Sequence, residues 1–172
     1  KNAVPVLIGV LENLEHEPMV RHEAAEALGA IGSEEALSVL EKYLTDSIPE
    51  VSETCELALG RIKWISENKN SPKKLPENPF LSVDPAPPFA DKSISELKEI
   101  LLNDKDTLFN RYRAMFALRN LRTADAILAL TCGLKVGSAL FRHEVAFVLG
   151  QLQDEVGIEA LKESLEDRSE NE

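Results

Sequence analysis

The sequence predicts an all-α protein, an α-solenoid of antiparallel helix hairpins in two halves joined by a Pro-rich linker. Three observations carry this expectation: a helical segment that recurs, apolar stripes at helical spacing within each copy, and one proline-rich break. Met19-Val20-Arg21-His22-Glu23-Ala24-Ala25-Glu26-Ala27-Leu28-Gly29-Ala30-Ile31-Gly32 returns, 121 residues later, as the segment from Leu140 to Leu152. Weaker copies begin at Glu50 and Phe109. Registered on the glycine or its equivalent, the copies place His22, Glu53, Tyr112 and His143 at one homologous position. The 31-residue intervals from His22 to Glu53 and from Tyr112 to His143 lie at the short end for helical-hairpin repeats.

Each copy reads as a helix with one apolar face. Val20, Ala24, Ala27, Leu28 and Ile31 follow helical spacing, and Val51, Cys55, Ala58, Leu59 and Ile62 do the same. Phe141, Val145, Val148, Leu149 and Leu152 form the third such stripe. Companion helices are expected over Val4 to Asn13, Ser33 to Thr45, Thr123 to Leu134 and Val156 to Leu165. Gly32-Ser33 reads as a helix stop followed by an N-cap, and Ser93-Ile94-Ser95-Glu96 as a capping box opening a helix from Ile94 to Asn103. Between Glu67 and Lys92 the chain is rich in Pro, Lys, Asn and Ser. The prolines of Asp84-Pro85-Ala86-Pro87-Pro88 forbid a helix there. The expected organisation is an N-terminal half over 1–66, a linker over 67–93 and a C-terminal half over 94–172.

Composition narrows the function classes. The chain has 172 residues, 44% of them apolar, enough for a sizeable core. Its 30 acidic and 19 basic residues give a net charge of −11, which repels nucleic-acid backbones and anionic membrane surfaces. No apolar run reaches the roughly 20 residues that span a bilayer. Two cysteines, Cys55 and Cys132, provide neither a disulfide framework nor a cysteine zinc site, so a cytoplasmic setting is expected. Both read as core packing rather than nucleophiles.

The three histidines each stand immediately before a glutamate. His22 and Glu23 are about 100° apart on a helix, and Glu26 lies one turn on from both. His143-Glu144 repeats the pair at the homologous position. An imidazole and a carboxylate from each of two helices make a mixed nitrogen and oxygen donor set suited to non-haem iron or manganese, less to zinc and hardly to calcium. His22, Glu23, His143 and Glu144 are therefore the candidate metal ligands, against the plainer reading of exposed polar residues on a solenoid. His16-Glu17 precedes Pro18 and reads as an exposed loop. Gly29, one turn above the pair, costs roughly 1 kcal/mol in a helix relative to Ala and implies room for a ligand or a close helix. Gly150 repeats it.

Four segments carry a more specific resemblance: Arg21 to Gly32, Leu81-Ser82-Val83-Asp84-Pro85-Ala86-Pro87-Pro88, Arg111-Tyr112-Arg113-Ala114-Met115-Phe116-Ala117-Leu118-Arg119, and Gly137 to Glu144. Together they resemble the deoxyhypusine hydroxylase family. That resemblance implies HEAT-like repeats in two halves, His-Glu motifs holding a di-iron centre, and use of molecular oxygen to hydroxylate the deoxyhypusine side chain of translation initiation factor 5A. The family has four such motifs. This chain carries two, resembling the second (His22, Glu23) and third (His143, Glu144), so the resemblance implies a central portion that is inactive by itself. The acidic balance suits a cationic substrate, and Glu26 is the candidate for contacting a substrate amine. Two other readings stand beside this one: a HEAT-repeat interaction scaffold without catalysis, and a chromophore-handling lyase on similar repeats.

Overall fold

The computed structural model describes residues 3–69 and 78–170; the middle of the expected linker and the extreme ends lie outside the described residues. Among the described residues there are nine α-helices, four short 3-10 segments and no strand. They fall into two compact units, one of residues 3–69 with Val83–Ala86, the other of residues 78–82 and 87–170.

The first unit contains α1 (Val4–Glu12), α2 (Pro18–Ile31), α3 (Leu37–Lys42) and α4 (Pro49–Asn68), with α2 packed between α1 and α4. α2 and α4 each begin at proline, whose missing N–H costs nothing at a first helical position. α2 ends where Gly32 turns left-handed, at φ 72°, and its N–H closes onto the Leu28 carbonyl. The companion helix expected over Ser33 to Thr45 is broken into a 3-10 turn at Glu34–Ala36, α3, and a second 3-10 turn at Tyr43–Thr45. Such tightened turns are the usual way a short helix ends. α4 runs to Asn68, into the segment that the sequence assigns to the linker.

The second unit contains α5 (Ile94–Leu102), α6 (Leu108–Leu121), α7 (Ala124–Thr131), α8 (Ala139–Leu152) and α9 (Ile158–Glu166). Here the first four helices start on hydroxyl caps. Ser93 and Glu96 form the expected capping box, while Thr107, Thr123 and Ser138 accept from the backbone of α6, α7 and α8. Tyr112, at the position homologous to His22, is buried and meets the rings of Phe116 and Phe141 edge-on.

The apolar stripe of α4 is buried as expected, and that of α8 as far as Leu149 with Leu152 partly buried, but the stripe of α2 is rotated. Val20 and Ile31 are about half exposed, and the buried set is instead Arg21, His22, Ala24, Ala25, Leu28 and Gly29. Its cause is Arg21. Its Nε donates to the Leu11 carbonyl at the end of α1 (3.0 Å), its Nη2 pairs with Asp46, and its guanidinium covers the Tyr43 ring at 5.2 Å. A cation at a helix C-terminus satisfies an orphan carbonyl and opposes the helix dipole. Arg111, 90 residues on, repeats the device by donating to the Leu101 carbonyl of α5 at 3.0 Å.

Between the helical regions the chain has no helix from 78 to 92, as the prolines require. In the first unit Arg61 Nη1 donates to the Asp84 carbonyl at 2.9 Å. In the second, Arg113 Nε donates to the Pro87 carbonyl at 3.0 Å and its guanidinium stacks 3.9 Å from the Phe89 ring centroid. Arg119, fully buried, reaches Asn78, Asn120 and Gln151 and lies 4.6 Å from the Phe80 ring centroid. No helix among the described residues is long and apolar enough to cross a membrane.

Two pairs of outcomes test this packing. A Cβ on Gly29 would fall 2.8 Å from the Ala58 backbone of α4, whereas at Gly150 nothing lies within 4 Å. Gly29→Ala is therefore expected to lower stability by about 1–3 kcal/mol in urea unfolding, and Gly150→Ala to raise it by up to about 1 kcal/mol. Arg21 and Asp46 are both nearly buried, so Asp46→Ala strands a guanidinium and should cost about 3–5 kcal/mol at neutral pH. Burial alone would raise the Asp46 carboxyl, but hydrogen bonds from Arg21 and the Ile48 N–H outweigh it and hold it below the usual value of 3.8. The unfolded chain then takes up its proton first as pH falls. The contribution is thus full above 3.8 and is lost on descending through the lower native value, so the stability gap to Asp46→Asn should close in strong acid.

Candidate functional site

Arg21 fixes the rotation of α2, and the next residue, His22, is carried about 100° round the helix toward α4. The imidazole is buried, at 7% exposure, against Thr54, itself at 3%. His22 Nδ1 lies 2.6 Å from Thr54 Oγ1, and that hydroxyl also lies 2.7 Å from the Glu50 carbonyl oxygen one turn back on α4. On its other side, His22 Nε2 faces two carboxylates: Glu26 Oε2 at 3.7 Å and Glu23 Oε1 at 3.9 Å. The ring is thus held from behind by α4 and opens toward acidic side chains on its own helix.

Glu23 is exposed and Glu26 half-buried. Burial raises the Glu26 carboxyl above its usual range, with His22 pulling it back and the neighbouring Glu23 charge pushing it further up. An arriving cation offsets both the burial and the repulsion. The imidazole nitrogen of His22 with the Glu23 carboxylate suits a hard to borderline divalent metal such as iron or manganese. Among the described residues no three His, Cys, Asp or Glu side chains already surround a common point at metal range. The first unit therefore presents a partial, open donor set.

The second unit places the other pair on α8, where His143 is exposed and Glu144 half-buried. Arg142, homologous to Arg21, is held in a bidentate pair with Glu170, with its Nη1 donating to the Gly137 carbonyl. The structure thus brings His22, Glu23 and Glu26 together and sets His143 beside Glu144 on one helix turn. His16 lies exposed in the turn between α1 and α2.

The reason for Gly29 is the close helix rather than a ligand: α4 occupies the space a side chain would need. Gly150 has no such neighbour, so the two glycines differ in environment despite their shared register. Sequence reasoning missed Thr54. Its sequence signal is the 31-residue register itself, which sets Thr54 opposite Glu23 one repeat on. The role of Arg21 was also missed, although an arginine precedes His22, Tyr112 and His143 alike.

Helix hairpins at a repeating register within each unit are the architecture of HEAT-like repeats. The family model for HEAT repeats matches residues 1–60, and that for the PBS lyase HEAT-like repeat matches 111–131 and 141–167. Over nearly all of its length the chain is similar to deoxyhypusine hydroxylases. It is 56% identical to that of Drosophila melanogaster over 171 residues and 51% identical to that of Homo sapiens over 169, covering 99% and 98% of this chain. The solved structure of human deoxyhypusine hydroxylase in complex with glycerol superposes with a TM-score of 0.90 at 51% identity, over 98% of this chain and 58% of that one. The chain spans about half the length of the curated relatives it matches, 56% of the fly protein and 55% of the human one.

Neither cysteine is placed for nucleophilic chemistry. Cys55 is fully buried, and burial first, then the Asp46 charge, pushes its thiol up to about 12. Cys132 is partly exposed, its Sγ donating to the Leu128 carbonyl. A disulfide thiol reagent should therefore titrate Cys132 alone in the native chain and both thiols after unfolding in guanidinium.

Proposed function

We propose that this chain forms the central part of an iron-dependent monooxygenase acting on the deoxyhypusine side chain of translation initiation factor 5A. Support comes from the similarity to deoxyhypusine hydroxylases along 99% of the chain and from one geometric observation above all. His22 Nε2 is aimed at the Glu23 and Glu26 carboxylates, 3.9 and 3.7 Å away, instead of at a core donor. A merely decorative surface histidine would not be buried and held from behind.

On this reading His22 and Glu23 from α2, with His143 and Glu144 from α8, are the chain's contributions to a di-iron centre. When bound, the iron supplies activation of molecular oxygen toward an unactivated C–H bond. The chain's own residues do the rest. The Thr54 contact keeps the His22 ring from turning, Glu23 offers a solvent-facing carboxylate, and the half-buried Glu26 is positioned to accept hydrogen bonds from a substrate amine. The −11 charge draws in a cationic side chain from a basic protein. The setting is cytoplasmic, where the factor and a reducing environment coincide.

The test is metal analysis and turnover of a polypeptide extending this chain to the full length of its relatives. We expect a stoichiometric iron pair, hydroxylation of a deoxyhypusine peptide, and loss of both on His22→Ala or Glu23→Ala. The scaffold reading requires an iron-free protein indifferent to those changes. The 172-residue chain alone should hold iron only substoichiometrically and show no turnover, because it carries one His-Glu pair at the repeat register in each unit. Glu26→Ala should leave iron content intact while weakening peptide affinity about tenfold, or about 1.4 kcal/mol; unchanged affinity removes Glu26 from the substrate site.

A further inference from the structure

The geometry points to Thr54 as the positioning residue of the His22 site: its hydroxyl, committed to the Glu50 carbonyl, makes His22 carry its proton on Nδ1 and present a bare Nε2 toward Glu23 and Glu26. The argument is a count of protons. A threonine hydroxyl has one hydrogen and spare lone pairs. Thr54 Oγ1 lies 2.7 Å from the Glu50 carbonyl, which can only accept, so the hydrogen is spent there. The 2.6 Å contact to His22 Nδ1 can then form only if the ring nitrogen donates. With His22 at 7% exposure and Thr54 at 3%, little solvent reaches the pair to substitute for either partner.

The consequence falls on the opposite ring nitrogen. A neutral imidazole protonated on Nδ1 has its lone pair on Nε2, and that nitrogen faces the acidic opening. A free imidazole favours the other tautomer, which would turn an N–H toward the carboxylates and close the ring as a ligand. Thr54 thus does for His22 what a backbone carbonyl or carboxylate does behind a metal-bound histidine. It does so from the register position that carries Glu23 in the preceding repeat, so a ligand-bearing site in one repeat serves as support in the next.

The value of this tautomer to metal binding rests on the function proposed above; the hydrogen-bond assignment does not. Long-range proton–nitrogen correlation spectra of the metal-free 172-residue chain, recorded well above the ordinary imidazole range of about 6.5, report the tautomer directly. His22 is assigned by replacing the exposed His16 and His143 with Gln. Wild type and Thr54→Ser are expected to show the Nδ1–H pattern, and Thr54→Val to lose it. An Nε2–H pattern in wild type, or an unchanged Nδ1–H pattern in Thr54→Val, overturns the assignment. The wild-type spectrum decides the matter even if Thr54→Val fails to fold. In the full-length polypeptide, cobalt(II) titration followed by visible absorption should show Thr54→Val about 10–100-fold weaker, with Thr54→Ser restored. Full-length protein that shows the Nδ1–H tautomer but takes up no cobalt counts against the metal function and leaves the Thr54 assignment standing.

Discussion

How closely α4 can lie against α2 governs nearly everything at the His22 site. Gly29 lets the Ala58 backbone approach to a distance that no side chain would tolerate. Because α2 and α4 run in the same direction, that contact near the end of α2 is followed down both helices to a second one, where His22 meets Thr54. A larger residue at the glycine would wedge the helices apart and withdraw the threonine from the imidazole. The contact that looks like packing is therefore also what sets the chemistry of a ring two turns away.

The second organising element is the arginine that precedes each of His22, Tyr112 and His143. Arg21 and Arg111 reach back to the last carbonyls of α1 and α5, and Arg142 reaches Gly137 and Glu170. Each anchors its helix in rotation, which leaves the following position free to vary. In one repeat that position is a buried tyrosine completing an aromatic cluster; in two others it is a histidine. The repeat thus separates the residue that holds the helix from the residue that gives it a task.

Much of this was legible in the chain. The repeat register, the Ser93-Glu96 capping box, the Gly32 stop and the lack of helix at Asp84-Pro85-Ala86-Pro87-Pro88 all follow from local chemistry, and the structure shows each. The buried face of α2 was not legible, because apolar periodicity assigns arginine to water and cannot see Asp46, 25 residues on, waiting to receive it. The contents of the site divided in the same way. His22, Glu23 and Glu26 share one helix turn, so spacing alone brings them together. Thr54 comes from the next repeat, and its pairing with His22 depends on a helix separation set by Gly29. The two glycines had one sequence signature and have two environments, since what fills the space above a glycine belongs to its neighbours.

The buried arginines also alter what an approaching molecule meets. Among the described residues Arg21, Arg111 and Arg119 are buried, and the enclosed acidic side chains include Asp84 and, beside Arg21, Asp46. These buried guanidiniums hold helix ends and the segment from Asn78 to Phe80 in place. An approaching cation therefore meets the carboxylate excess of a chain of net charge −11, while three of the arginines are already engaged within the fold.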